Sequence, residues 1–203
     1  GAVLLANRGL CAEKLGALFE GAAGAASVRT ISLDGNALTE LPRSVLAAID
    51  LQSLRTLWLD GNRLTSLPAA LGKCVALERL HAAGNLLEAV PDELCQLRSL
   101  RALSLARNRL TCLPGELGRC TLLESVWLSG NRLQALPASL CKLSDLRTLW
   151  LNDNELLTLP DCTGSWMLLE QLQLGGNAAL LELPAGLGFC SALKRLGLQG
   201  CAA

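Results

Sequence analysis

The chain has 203 residues, with 18 basic and 18 acidic side chains and a net charge of zero, which excludes a nucleic-acid binder that works by neutralising phosphates. Hydrophobic residues make up 51% of it and leucine alone fills 52 positions, about a quarter, so disorder is excluded as well. No run of about 18 apolar residues passes without a charge or a turn residue, so no membrane span is expected.

Aromatic residues make up only 3%, with two Phe and no Tyr. An ordinary core mixes leucine with Ile, Val and Phe. A core of nearly pure leucine points to one local solution used many times. In chain order, the first predicted strand starts at Val3 in VLLANRGL, where Arg8 holds a place that later units give to Asn. The connection CAEKLGALFEGAAGAAS is Ala-rich, and the next strand comes 28 residues after the first, which leaves room for a full helix. From there one frame recurs. Asn36, Asn62, Asn85, Asn108, Asn131, Asn154 and Asn177 are spaced by 26 and then by 23 residues, each within LxxLxLxxNxLxxLPxxLxxL. LRTLWLDGNRLTSLPAALGKC from Leu54 and LESVWLSGNRLQALPASLCKL from Leu123 are examples. Three extra residues enter at VLAAIDLQSL and one at NAALLELP. Thr163 replaces a core leucine, and Trp166 in the next core slot reads as a packing compensation. Cys201 falls on the Asn place, where a thiol still donates weakly.

Each part of the frame has a physical role. The LxL pairs (Leu57 and Leu59, Val126 and Leu128) alternate apolar and variable, as a strand buried on one face does. Asn suits the turn because its amide both donates to and accepts from backbone. Pro42, Pro68, Pro91, Pro114, Pro137, Pro160 and Pro184 lack an N–H and fix φ, so they start an outer segment without extending the sheet.

The frame resembles the leucine-rich repeat family, and the resemblance covers essentially the whole chain. The 23-residue length with LPxxLxxL is similar to that of intracellular scaffold-type members. The Gly-x-Ile-Pro signature of the plant extracellular form and the cysteine-rich caps of secreted members are absent from the sequence. The resemblance implies an α/β solenoid of about nine repeats. In such a fold each repeat gives a short strand, a turn and a short helical or extended outer segment. The strands stack as a curved parallel sheet on the concave face, and the Asn side chains form a ladder between neighbouring turns. Residues 1–203 are expected to be a single array and an excerpt of a longer chain, since the pattern is already running at Val3-Leu4-Leu5 and still running at Cys201. A solenoid needs polar end caps. None is visible, so further chain or another subunit is expected to cover the ends.

A second period of 46 residues overlies the first. Repeats ending LGKC and LGRC lead into LERL and LESV, while those ending LCQL and LCKL lead into LRAL and LRTL. This places Cys74, Cys120 and Cys190 where Leu97 and Leu143 sit, in the core, and aligns Cys95 and Cys141 with Gly72, Gly118 and Gly188. The nine cysteines are an odd number with no CxxC, so neither a zinc ribbon nor a redox motif is indicated. Reduced thiols and a cytoplasmic location are expected. No signal peptide is visible at the N-terminus.

Little in the chain could carry catalysis. His81 is the sole histidine, and Asp60 lies on the neighbouring strand, which is a weak signal that reads better as a surface histidine. There is no GxGxxG, GKS/T or HExxH motif, so no enzyme, no cofactor and no metal are expected.

The variable strand positions are more informative. Between the two core residues come Ser32, Trp58, His81, Ser104, Trp127, Trp150, Gln173 and Gly197. After the second core residue come Asp34, Asp60, Ala83, Ala106, Ser129, Asn152, Gly175 and Gln199. Strand alternation points these side chains away from the core. Three of the four Trp therefore fall on the exposed face, and surface Trp is over-represented at binding hot spots. The alternative is that the rings stack on one another to stabilise the sheet. Candidate protein-binding residues are Trp58, His81, Trp127 and Trp150, with Asp60, Ser104, Ser129 and Asn152 beside them. Arg107, Arg109 and Arg132 form a second candidate contact at the loop edge, suited to an acidic partner. A column ahead of each strand, Arg29, Arg55, Glu78, Arg101, Glu124, Arg147, Glu170 and Lys194, alternates in sign from Arg55 onward and reads as a solvated register ladder.

The expected function is a non-catalytic protein–protein interaction module that takes a protein or peptide on its concave face. Two alternatives stand beside it. One is a recognition or regulatory arm of a larger enzyme such as a kinase, GTPase or ubiquitin ligase. The other is a structural subunit of a large assembly such as a ciliary or organellar complex.

Overall fold

Three-residue strands form at each LxL alternation. In the computed structural model, which describes residues 1–20, 27–160 and 165–202, they are β1 (Ala2–Leu4), β2 (Thr30–Ser32), β3 (Thr56–Trp58), β4 (Arg79–His81), β5 (Ala102–Ser104), β6 (Ser125–Trp127), β7 (Thr148–Trp150), β8 (Gln171–Gln173) and β9 (Arg195–Gly197). They pair in parallel and in chain order within one sheet. The register is repeat on repeat, so Ile31, Leu57, Leu80, Leu103, Val126, Leu149 and Leu172 stand in line, all buried. This is the α/β leucine-rich solenoid that the frame predicts.

Parallel strands need a return segment, and proline starts most of these. The N–H groups of Leu71, Leu94, Leu117, Leu140 and Leu187 donate to the carbonyls of Pro68, Pro91, Pro114, Pro137 and Pro184 at 3.0–3.1 Å. Short 3₁₀ turns result over Ala69–Lys73, Asp92–Gln96, Leu117–Arg119, Ala138–Lys142 and Ala185–Phe189. The two returns with longer connections hold α-helices instead: α1 (Ala12–Phe19) in the Ala-rich segment and α2 (Arg43–Ala47) where three residues are added.

The Asn ladder knits successive coils. Asn131 donates to the carbonyls of Leu105 and Leu128 at 3.0 and 2.9 Å, and its Oδ1 accepts the N–H of Leu110 at 3.0 Å. The same three bonds recur around Asn62, Asn85, Asn108, Asn154 and Asn177. At the Asn place of the last coil, the Cys201 thiol donates to Leu174 O at 3.1 Å. The residue before each Asn takes a left-handed conformation. That column is Asn7, Gly35, Gly61, Gly84, Arg107, Gly130, Asp153, Gly176 and Gly200.

Trp166 is fully buried, and its indole N–H donates to Leu140 O at 2.9 Å, so one side chain fills the slot and satisfies its own polar tip. Thr163 lies outside the described residues. Gly118 is required by close approach: a Cβ there would meet the Ser139 carbonyl oxygen at 1.7 Å. Cys74 and Cys120 are buried in the leucine slots, and burial pushes their thiols up to about 11 and about 12. Neither is a nucleophile at neutral pH. The expectation of nine reduced thiols does not hold, because Cys141 is disulfide-bonded. A disulfide is the usual mark of oxidising surroundings, so the thiols no longer argue for the cytoplasm. Among the described residues no helix is long and apolar enough to cross a membrane.

Candidate binding face

The side chains between the core leucines stand side by side on the open face of the sheet, because every strand shares one register. The neighbours Trp58 and His81 stack, with ring centroids 4.0 Å apart and planes 14° from parallel. His81 and Trp127 are two strands apart, yet their centroids approach to 6.2 Å. Ser104 lies between them and is buried, so it is small enough for the rings to lean over it. Trp58, His81 and Trp127 thus form one partly buried aromatic row.

His81 and Asp60 lie near enough to influence each other's charge. Burial lowers the His81 pKa, with the Asp60 carboxylate opposing and Arg79 adding to the fall. Burial raises the Asp60 pKa, although the Ala83 N–H, which donates to Oδ1 at 2.6 Å, draws it down. Among the described residues no hydrogen bond joins the imidazole to the carboxylate.

Trp150 behaves differently. It pairs with Trp127 in register, but among the described residues no ring contact joins them, and it is 38% exposed. Around it the face forms a hollow of about 1090 Å³ that runs from Ser104 and Arg107 on the β5 coil to Gln199 on the β9 coil. Trp127 and Trp150 line it together with Ser129, Asn152, Gln173 and Gln199. Gly175 and Gly197 line it as well, and the Gln173 side chain lies over Gly197, where a Cβ would meet its Oε1 at 1.9 Å. Ser129 Oγ donates to Asn152 Oδ1 at 2.6 Å, and Asn152 Nδ2 donates to Asp153 Oδ2 at 2.9 Å, which fixes the polar wall.

The three arginines divide. Arg107 lines the hollow, at φ 54°, whereas Arg109 and Arg132 are not among its lining residues. Those two follow ladder asparagines, and their N–H groups donate to Leu87 O and Leu110 O at 2.8 and 2.9 Å. All three are exposed. Asp153, at φ 58°, also lines the hollow and was missed by the frame aligned on Asn. The signal for it is a non-glycine residue in a column that is mostly glycine.

The charged column forms ion pairs: Arg55 with Glu78, Arg101 with Glu124, and Arg147 with Glu170 at 3.2 Å. Lys194 adds to the last at 2.7 Å, and its hydrogen bond is the main cause of the lowered Glu170 pKa. The pairs recur with the 46-residue period.

A leucine-rich repeat family model matches residues 26–87 and 53–110, and a second matches 122–143. The fold is similar to that of a leucine-rich repeat protein of Leptospira interrogans, at 27% identity and a TM-score of 0.67, covering 94% of this chain and 52% of that one. It is similar also to the leucine-rich repeat domain of the type III effector XopL, at 26% identity and a TM-score of 0.72, covering 85% of this chain and 61% of that one. The chain thus spans about half the length of the first and less than two thirds of the second. No curated protein matches it.

Proposed function

The chain belongs to the leucine-rich repeat family, and we propose that it is a non-catalytic module that binds a protein or peptide partner on the concave, open face of its sheet. Leucine-rich repeat domains are in general protein-interaction modules, and solenoids present extended surfaces for that purpose. The observation that carries the placement is Trp150, an exposed ring at the wall of the hollow, with Trp127 on the next strand. An exposed Trp beside an unfilled depression is the arrangement that binding hot spots favour. Ser129 and Asn152 supply hydrogen-bonding groups at the same wall. Ser104 lines the hollow too, while Trp58, His81 and Asp60 form the adjoining part of the surface, where Trp58 and His81 stack. Arg109 and Arg132 lie outside its centre.

The test compares proteins captured on the immobilised chain with those captured on a Trp127→Ala, Trp150→Ala double variant. The affinity of each captured partner is then measured for both chains. At least tenfold weaker binding by a variant whose circular dichroism shows the folded state supports the reading. Early melting with unchanged binding would mean that the rings only pack the sheet.

A further inference from the structure

Two of the nine left-handed positions are not glycine or asparagine, and both lie on the rim of the hollow. They are Arg107 at φ 54° and Asp153 at φ 58°. Holding Arg107 in this conformation is unfavourable by about 1–2 kcal/mol, and such strain gathers at functional sites, whereas Asp tolerates it. Glycine serves at six positions of this column, so the backbone here does not require a side chain. Each side chain lies against the glycine of the next coil in the column. The position a Cβ would take at Gly130 is 3.5 Å from Arg107 Cγ, and that at Gly176 is 2.4 Å from Asp153 Oδ1. Both groups are exposed, and among the described residues neither has an ion-pair partner. One edge of the hollow thus carries a cation and, two coils on, an anion, with Trp127 on the coil between them and Trp150 on the coil of Asp153.

We infer that the hollow selects an extended peptide that carries an acidic residue, a large apolar side chain and a basic residue in that spatial order, bound across the strands from Arg107 to Asp153. The inference rests on the open-face reading above. Two repeat steps separate the charges, about 10 Å at the usual strand spacing. An extended peptide covers that in about three residues, so the opposite charges of the ligand lie about three positions apart, with the apolar residue between them seated against the Trp rings. Arg107 presents a planar fork suited to a carboxylate, and Asp153 accepts from an ammonium or guanidinium.

The probe is a random-peptide phage library selected on the parent chain and on variants. The parent is expected to enrich peptides with one acidic and one basic residue about three positions apart around an aromatic or large aliphatic residue. Arg107→Glu is expected to enrich peptides with two basic residues instead, whichever way the peptide runs. Asp153→Asn, which tolerates the left-handed conformation, is expected to lose the basic preference. Arg107→Gly relieves the backbone, so it keeps the test valid should the Glu variant fold poorly; it is expected to lose the acidic preference and to weaken a parent-selected peptide by tenfold or more. If all these variants enrich the parental peptides, and only Trp127→Ala with Trp150→Ala abolishes enrichment, the charge inference is overturned and the open-face reading stands. If the double Trp variant also enriches the parental peptides, both fail. A library that yields no peptide on the parent overturns the inference as well.

Discussion

Between β3 and β6 the open face of the sheet is covered by its own rings, while between β6 and β9 it is left uncovered. The backbone is the same in both regions: parallel three-residue strands, one register and the same ladder. A single column of side chains makes the difference. Trp58 and His81 meet at stacking distance and Trp127 leans toward them over a serine, whereas Trp150 is followed by Gln173 and Gly197. A regular scaffold therefore specifies where side chains stand, and their sizes decide whether they satisfy each other or remain available to a partner. Trp127 belongs to both regions, with one side toward His81 and the other lining the hollow.

The comparison depends first on a common scaffold. Asn62→Ala and Asn154→Ala remove the same three hydrogen bonds, one under each region, and each should cost roughly 1–3 kcal/mol in urea unfolding. Markedly unequal costs would mean that the regions differ below the surface too. The rings give the next largest effect. Trp58→Ala should destabilise by about 1–2 kcal/mol, because it loses a stacked partner. Trp150→Ala should cost less than Trp58→Ala, since it loses no stacked partner. Equal costs would erase the distinction between a filled and an open half.

Arg107→Gly sharpens the contrast from the other direction. Relief of left-handed strain is partly offset by the entropy of glycine, so stability should stay level or rise by up to about 1 kcal/mol in thermal melts. A loss of stability would show that Arg107 packs rather than waits for a ligand. The smallest effect is a pH dependence confined to the stacked half. The folded pKa of His81 is depressed by burial, so the unfolded chain takes up the proton first as the pH falls. The contribution of the stack is therefore full above about pH 6.5 and declines below it. His81→Phe keeps a ring and removes the titration, so melts from pH 8 down to about 5.5 should lose that slope. An unchanged slope would place its origin elsewhere.

Most of the fold is legible in the sequence, since a repeat packs mainly against copies of itself. The LxL alternation locates the strands, the asparagine spacing sets the register, and proline marks the outer turns. Trp166 is recognisable as core from its slot alone. The face is legible only in part. Strand parity puts Trp127 and Trp150 on neighbouring strands, but it does not say that His81 turns to Trp58 while Trp150 stays apart. That choice depends on the neighbours: Ser104 is small enough for Trp127 and His81 to approach over it, and Gln173 folds over Gly197. Arg107 and Asp153 were hard to relate because an alignment on asparagine passes over the left-handed residue before it. The bond at Cys141 was missed because a disulfide depends on the approach of two Cβ atoms, and spacing carries no record of that.

The ion pairs along the charged column set a parity rule on the length of the array. Arg55 with Glu78, Arg101 with Glu124 and Arg147 with Glu170 each join an odd coil to an even one. From Arg55 onward, removing or copying two adjacent coils keeps the alternation of cation and anion. Removing or copying one coil sets two like charges side by side on neighbouring strands, which is unfavourable. Over that stretch the column favours growth in steps of two over steps of one, by the small amount that exposed ion pairs contribute.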